Sequence, residues 1–317
     1  MSQKYKTDPN KNQAKLGFQG QGFDWASYIK YRPDYPSSFY TRIYNHHASI
    51  PSNTFDTAHD VGAGAGIVSG KLATRFQHVT VSEPNNEFLS IAKARLSLAS
   101  HDETESRYTY YAERADKSSV AAGTISVLTI CEAIHWTDIP ASISEFGRQL
   151  KRNGTLCIIL YGPVWILDNE AAQAVWEGLH VDLACGVFQK KEVYRRAVRS
   201  SATGLDNIAF PGDVWRDVKR IFTNTGGNRR RLQFGTGCGE EEDAVGEMEE
   251  RVFVEDDKDW AREGCNLEWL QGVFTSFVPG RKVEEDLGRW EEMERALGKG
   301  GRVTVAWPNV QIIATRR

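Results

Sequence analysis

From Phe55 the chain alternates short β-branched runs with helical periodicity over about 110 residues, and no other feature constrains its fold as much. TFDTAHDVG reads as a strand ending in a glycine-rich turn. IVSGKLATRF reads as a helix with Val68, Leu72 and Phe76 on one side. HVTVSEP is a second strand. NNEFLSIAKARLSLAS is a helix capped by Asn85 or Asn86, with Phe88, Ile91, Ala92, Arg95 and Ala99 on one face. YTYYAE, TISVLTIC and GTLCIILYG supply three more strands, and ASISEFGRQL, begun by Pro140, is a helix between the last two. Strands that alternate with helices predict a doubly wound, mostly parallel α/β sheet. Nearly continuous apolar strands fit a sheet covered on both faces.

The flanks differ in texture. The first 17 residues are polar and rich in Lys, Asn and Gln, as expected of a mobile tail. An aromatic segment with Phe23, Trp25, Tyr28 and Tyr31 follows, broken by Gly20, Gly22, Pro33 and Pro36. Ser37 or Ser38 can cap a helix carrying Phe39, Ile43 and His47, with Tyr40 and Tyr44 beside them. Beyond Pro163 the regularity fades. The Arg229–Arg231 cluster and the acidic stretch from Glu240 read as solvated loops and faces. EERVFVE is a candidate strand, NLEWLQGVFTSFV a helix, and VTVAWPNVQIIATRR a closing strand or bent strand pair.

Composition removes several classes of function. Lys plus Arg is 39 against 42 Asp plus Glu, a net charge of −3, so no basic face for nucleic acid is expected. The five cysteines, at 131, 157, 185, 238 and 265, form no CxxC pair, which argues against zinc ribbons and disulfide scaffolds and for a reducing compartment. No metal site is expected. The N-terminus has no apolar core of a secretory signal, and the longest apolar run, within Thr155–Leu167, is broken by Gly162-Pro163. A soluble cytoplasmic protein, monomer or homodimer, with no membrane partner is the expectation.

The turn Asp60-Val61-Gly62-Ala63-Gly64-Ala65-Gly66 follows a predicted strand and opens a predicted helix. Glycines there let the backbone approach a ligand, and the helix start offers free N–H groups. A dinucleotide site needs G-x-G-x-x-G, and the third position from Gly62 is Ile67. The acid before the glycines suits a ligand with a cationic amino or sulfonium group. Glu83 ends the second strand, 17 residues after Gly66, near the spacing expected for an acid on a ribose. A carboxylate there can accept from both ribose hydroxyls. The plain alternative is a surface acid before a proline turn.

These residues resemble a class I S-adenosylmethionine-dependent methyltransferase, and more narrowly the fungal trans-aconitate and cantharidin-resistance methyltransferase group. Four motifs carry the resemblance: Tyr28-Ile-Lys-Tyr31-Arg32-Pro33-Asp-Tyr35-Pro36, DVGAGAG, Glu83, and Cys131-Glu132-Ala133-Ile134-His135-Trp136. They span residues 28 to 160, whereas 165 to 300 match loosely. The resemblance implies S-adenosyl-L-methionine as cofactor. It puts Asp60 under the methionine amino group, Gly62, Gly64 and Gly66 along the methionine and ribose, and Glu83 on the ribose hydroxyls. Ala112 and Glu113 would border the adenine, with Glu113 preferred over Asp116, although Tyr111 stands where an Asp-Ala pattern is commoner. Glu132 and Ala133 would lie beside the sulfonium through main chain. Tyr28 and Arg32 would come from a lid-like arm, with Arg32 either pairing the cofactor carboxylate or forming a structural salt bridge.

The implied fold is a seven-stranded Rossmann-like sheet with an N-terminal arm (1–50), a cofactor-binding core (51–165), an inserted substrate cover (166–300) and a closing strand (301–317). Methyl transfer is an in-line displacement that depends mainly on orientation. A phenol or alcohol acceptor also needs a proton acceptor, for which His135 is best placed; it is otherwise a structural histidine before Trp136. The expected activity is methyl transfer to an oxygen or nitrogen of a small-molecule metabolite, with fungal secondary metabolism as its setting. The alternative is a cofactor-binding protein of this fold that catalyses a cyclisation or rearrangement.

Overall fold

A computed structural model of the chain describes residues 25–99, 107–186, 192–233, 243–277 and 281–317. The polar tail, Gly20, Gly22, Phe23, Cys238 and Glu240–Glu242 lie outside the described residues. The arm supplies α1 (Trp25–Tyr31) and α2 (Ser37–Ala48), followed by β1 (Thr57–Val61), α3 (Ile67–Leu72), β2 (His78–Ser82) and α4 (Asn86–Ala99). Next come β3 (Tyr108–Tyr111), β4 (Ile125–Cys131), α5 (Ile139–Gln149) and β5 (Leu150–Tyr161). The later elements are β6 (Trp165–Ile166), α6 (Glu170–Gly186), α7 (Glu192–Ala202), β7 (Trp215–Thr223) and β8 (Glu250–Val254). Then follow β9 (Ala261–Cys265), α8 (Leu267–Phe277), α9 (Leu287–Leu297), β10 (Val303–Ala306) and β11 (Asn309–Arg316).

The main sheet has the order β3-β2-β1-β4-β5-β11-β7-β8. Pairing is parallel from β3 to β5 and between β7 and β8, while β11 runs antiparallel to both β5 and β7. The sheet is thus doubly wound and mostly parallel as expected, with eight strands instead of seven. Alternate residues of β5 feed opposite cores. Cys157, Ile159 and Tyr161 join Phe39, Ile43, Leu72 and Phe76, whereas Leu156, Ile158 and Leu160 join Phe146, Leu128 and Phe222. Both faces are therefore covered, which is why these strands read as unbroken apolar runs.

Several local expectations change. On α4 the buried face runs through Phe88, Leu89, Ala92 and Leu96, and Arg95 is exposed. α5 starts at Ile139, because Asp138 caps it by accepting the Ala141 N–H at 3.2 Å. The first turn of α2 takes no cap from its own serines. Instead Asp259 accepts from the Ser37 hydroxyl at 2.9 Å and the Ser38 N–H at 3.1 Å. The closing segment splits at Trp307-Pro308, since proline has no N–H for a ladder. β11 enters the main sheet and β10 joins β6 and β9 in a separate antiparallel sheet.

The eighth strand pairs with β7 from Glu250 to Val254, and one buried cation braces its start. Arg220 on β7 is fully buried. It donates to Glu249, just before β8, at 2.7 Å, and to the carbonyls of Leu205 and Ile208 at 2.8 and 2.7 Å. Asp206, also buried, lies 3.6 Å from it and is paired to Arg229 and Arg251 at 2.9 and 3.0 Å. Removing one partner from such a group strands the other charges. Arg220→Met should therefore lower unfolding stability by about 3–5 kcal/mol in urea titrations. An unchanged midpoint would show that β8 is held without it.

Candidate active site

The carboxyl ends of β1, β2, β4 and β5 open into one cavity of about 270 Å³, the place where ligands bind in open α/β sheets. Its floor is the glycine loop. Gly62, Gly64 and Gly66 have φ of +64°, +53° and +73°, a region costly for side chains. A Cβ on Gly62 would sit 2.7 Å from that of Ala133 in the turn after β4. The loop leaves a cradle that only bare backbone can form. Gly62, Ala63 and Gly64 line the cavity, whereas Gly66 turns away and packs on Ala92 and Leu96 of α4.

Four acids line this cavity, and three have a protein donor on each oxygen. Asp60 is buried and accepts from the hydroxyls of Ser69 at 2.6 Å and Thr129 at 3.0 Å. Burial raises its pKa to about 6 against those bonds. Glu83 is buried too, and so is no surface acid. Its oxygens accept the N–H of Gly64 at 3.1 Å and of Asn85 at 3.0 Å, while burial lifts its pKa to about 7. Asp116 takes a two-point bond from Arg114, at 2.7 and 2.8 Å, which holds its pKa down. Glu132 accepts the Tyr161 N–H through Oε1 at 2.5 Å, and burial pushes its pKa to about 8 although Arg32 opposes this.

Of the residues singled out in the sequence, Tyr28, Arg32, Asp60, Gly62, Gly64, Glu83, Glu132, Ala133 and His135 meet at this cavity. Ala112 and Glu113 do not. Ala112 is exposed, and Glu113 turns into the next loop, where it accepts from the Ser118 hydroxyl and the Ser119 N–H. Arg114, Ala115 and Asp116 take the wall instead, because the bonds of Glu113 curl the chain after β3. Arg32 donates to the Ser276 carbonyl at 2.9 Å and lies 3.8 Å over the Phe277 ring. Its Nε is buried without a partner, and it makes no salt bridge with an acid among the described residues. His135 is buried, and its Nδ1 has no partner among the described residues. Burial, and then Arg32, lower its pKa to about 3, so it is uncharged at neutral pH.

Other wall residues have no motif to mark them. Tyr161, Ala197, Val198, Ser201 and Phe277 come from β5, α7 and α8. Tyr161 stands at the carboxyl end of a predicted strand, a position that could have flagged it. The α7 residues carried no such signal. Trp136 meets Tyr194 of α7 edge-on at 5.8 Å, which brings that helix to the cavity.

A group whose folded pKa is raised stabilises below its unfolded value and loses this stabilisation as pH rises through the folded one. For Asp60 that window runs from about 4 to about 6. Asp60→Asn should flatten the decline of unfolding stability over this range, gaining up to about 2–3 kcal/mol over the parent at pH 7. Parallel urea titrations at several pH values check it, and identical slopes for the two proteins would refute it.

The chain carries a methyltransferase domain over residues 59–158. It is 30% identical to the methyltransferase cfoB of Aspergillus candidus, over 92% of this chain and 94% of that one. It is also 30% identical to the methyltransferase AacuQ of Aspergillus aculeatus, over 96% of both. A solved structure of a candidate type II methyltransferase from Anaeromyxobacter dehalogenans shares the fold, with a TM-score of 0.55 and 16% identity over 89% of this chain and 97% of that one. Full-length similarity at this level, joined to the glycine loop and its acids, makes the chain a member of the class I S-adenosylmethionine-dependent methyltransferases.

Proposed function

We propose that this enzyme moves a methyl group from S-adenosylmethionine to an oxygen or nitrogen of a small-molecule metabolite, in fungal secondary metabolism. The observation that carries the reading is the latch between Glu83 and Gly64, which ties a buried carboxylate to a backbone cradle at the cavity. Each Glu83 oxygen accepts one backbone N–H and has a further lone pair for a ribose hydroxyl. The residues fit the cofactor: the cradle is one a Cβ would fill, and the orphaned Arg32 Nε suits the cofactor carboxylate.

When bound, the cofactor supplies a methyl carbon already activated by its sulfonium. The chain supplies position and shielding. Gly62, Gly64, Glu132 and Ala133 bracket the methionine side. Arg114, Ala115 and Asp116 take over the adenine border from Ala112 and Glu113. Tyr28 and Arg32 close the arm side, opposite Tyr161. Aromatic walls keep water from the reacting atoms. His135 is uncharged and presents a free ring nitrogen, which suits accepting a hydrogen bond from the acceptor's O–H or N–H. The protein acts as a cytoplasmic monomer or homodimer. Among the described residues no helix is long and apolar enough to cross a membrane.

Calorimetric titration tests the cofactor reading. S-adenosylmethionine and S-adenosylhomocysteine should bind and NAD should not. Glu83→Ala should weaken both by roughly 1.5–3 kcal/mol, the range for a hydrogen bond to a charged group, with loss of the loop latch included. Labelled cofactor and a panel of hydroxylated and amino acceptors then report transfer. Tight NAD binding without a response to S-adenosylhomocysteine would overturn the reading.

A further inference from the structure

The Arg229–Arg231 cluster, read from the sequence as a solvated face, is divided by the fold. Arg229 pairs with the buried Asp206 at 2.9 Å. Arg230, which is exposed, lies 3.7 Å from the half-buried Glu177 of α6. Arg231 makes no ion pair with an acid among the described residues, yet it is held in place. Its Nη1 donates to the Asn224 carbonyl at 3.2 Å, and its guanidinium lies 4.7 Å from the centre of the Trp165 ring. It also rests on the backbone of Gly226, where a Cβ would stand 3.0 Å from its Cζ. A guanidinium fixed in this way loses little further freedom when it takes an anion.

Arg231 lines a second cavity, of about 60 Å³, that shares no wall residue with the glycine-loop cavity. The turn Arg230–Leu232 forms one side. That turn is seated on Gly162, where a Cβ would lie 2.7 Å from the Arg231 carbonyl oxygen. The other side comes from α6, with Trp176, Glu177, His180 and Val181. Trp176 donates its ring N–H to the Val164 carbonyl at 2.7 Å, so the ring itself is an apolar surface. His180 donates from Nδ1 to the Trp176 carbonyl at 2.9 Å, and burial lowers its pKa to about 4, so it is uncharged at neutral pH. The wall then carries two arginines, 230 and 231, against one acid, Glu177, a net charge of +1.

We propose that this second cavity is a binding site for a short monocarboxylate, held by Arg231 and separate from the candidate active site. The net charge calls for one anionic group. The planar fork of a guanidinium matches a carboxylate at two points. The rings of Trp165 and Trp176, with Pro163 and Val181, suit a short hydrocarbon body. The volume has room for about four to six water-sized groups, the size of butyrate. A phosphate dianion would bring a second charge with no cation left to answer it, because Glu177 already faces Arg230.

Saturation-transfer NMR on the full chain tests this with sodium butyrate and with butyramide, its uncharged counterpart. Butyrate should receive saturation from the protein, and butyramide should bind at least about tenfold more weakly, as loss of a charge-assisted bond requires. Arg231→Gln, checked for folding by circular dichroism, should weaken butyrate about tenfold or more. Glu177→Gln removes the acid of the wall and should tighten butyrate about two- to threefold. Arg32→Gln, in the other cavity, should leave butyrate binding unchanged. No binding of butyrate to the wild type overturns the proposal, and so does equal binding of butyramide, whether or not the variants fold. Butyrate affinity that survives Arg231→Gln, or that falls in Glu177→Gln or Arg32→Gln, overturns it as well.

Discussion

The whole site depends on two turns coming closer than side chains allow. Gly62, after β1, passes the Ala133 methyl group of the turn after β4 with no room for a Cβ. Because β1 and β4 are parallel neighbours, their carboxyl ends open on the same edge, and this contact sets the floor between them. The loop is then held from the other side. Ala63 donates to the Ser82 carbonyl at 3.0 Å, and Gly64 to the Glu83 carboxylate at 3.1 Å. One loop is fixed by β1, β2 and β4 at once, so a cradle of bare backbone stays open for a ligand.

The acids around that floor show how burial is divided between structure and chemistry. Asp60 ties the loop strand to α3 through Ser69 and to β4 through Thr129. Glu83 fastens the loop to the chain that begins α4, through Asn85. Both carry a cost of desolvation, visible in their raised pKa values, that their bonds only partly offset. Glu132 has fewer bonds and a higher pKa than either, on a backbone that disfavours it. Of these three acids, Glu132 is the one with a carboxylate oxygen that takes no donor among the described residues.

Much of this was legible in the sequence because it rests on local patterns. Strands with unbroken apolar runs and a glycine turn between strand and helix are written in consecutive residues, and so are Glu83 and His135. What was not legible rests on contacts between distant segments. The start of the eighth strand is braced by Arg220 meeting Glu249, 29 residues away. The cap of α2 comes from Asp259, more than 200 residues on. The family resemblance put Glu113 at the adenine border. Two serines, Ser118 and Ser119, turn it aside, and nothing in their spacing from Glu113 signals it. The face of α4 was misread by one position, because Leu89 and Leu96 fit a helical period as well as Ile91 and Arg95 do.

The arm is tied both to the main sheet, where His46 and His47 bond Thr315 and Thr155 at 2.8 and 2.9 Å, and to the cover beyond it. Arg42 pairs with Asp257 at 2.8 Å, Asp259 caps α2, Arg32 holds the Ser276 carbonyl, and the Tyr31 ring fills the space of a side chain at Gly272. Each joins the arm to residues 257–276 rather than to the glycine loop. The α7 wall is attached by Tyr194 and Trp136 and contributes Ala197, Val198 and Ser201, small groups on that side of the cavity. None of these cover residues shares a hydrogen bond with the Glu83–Gly64 latch. Substitutions at 197, 198, 201 or 277 can therefore reshape that wall while the glycine loop stays intact. That separation sets the glycine loop and Glu83, which motifs mark, apart from a wall of residues that no motif marks.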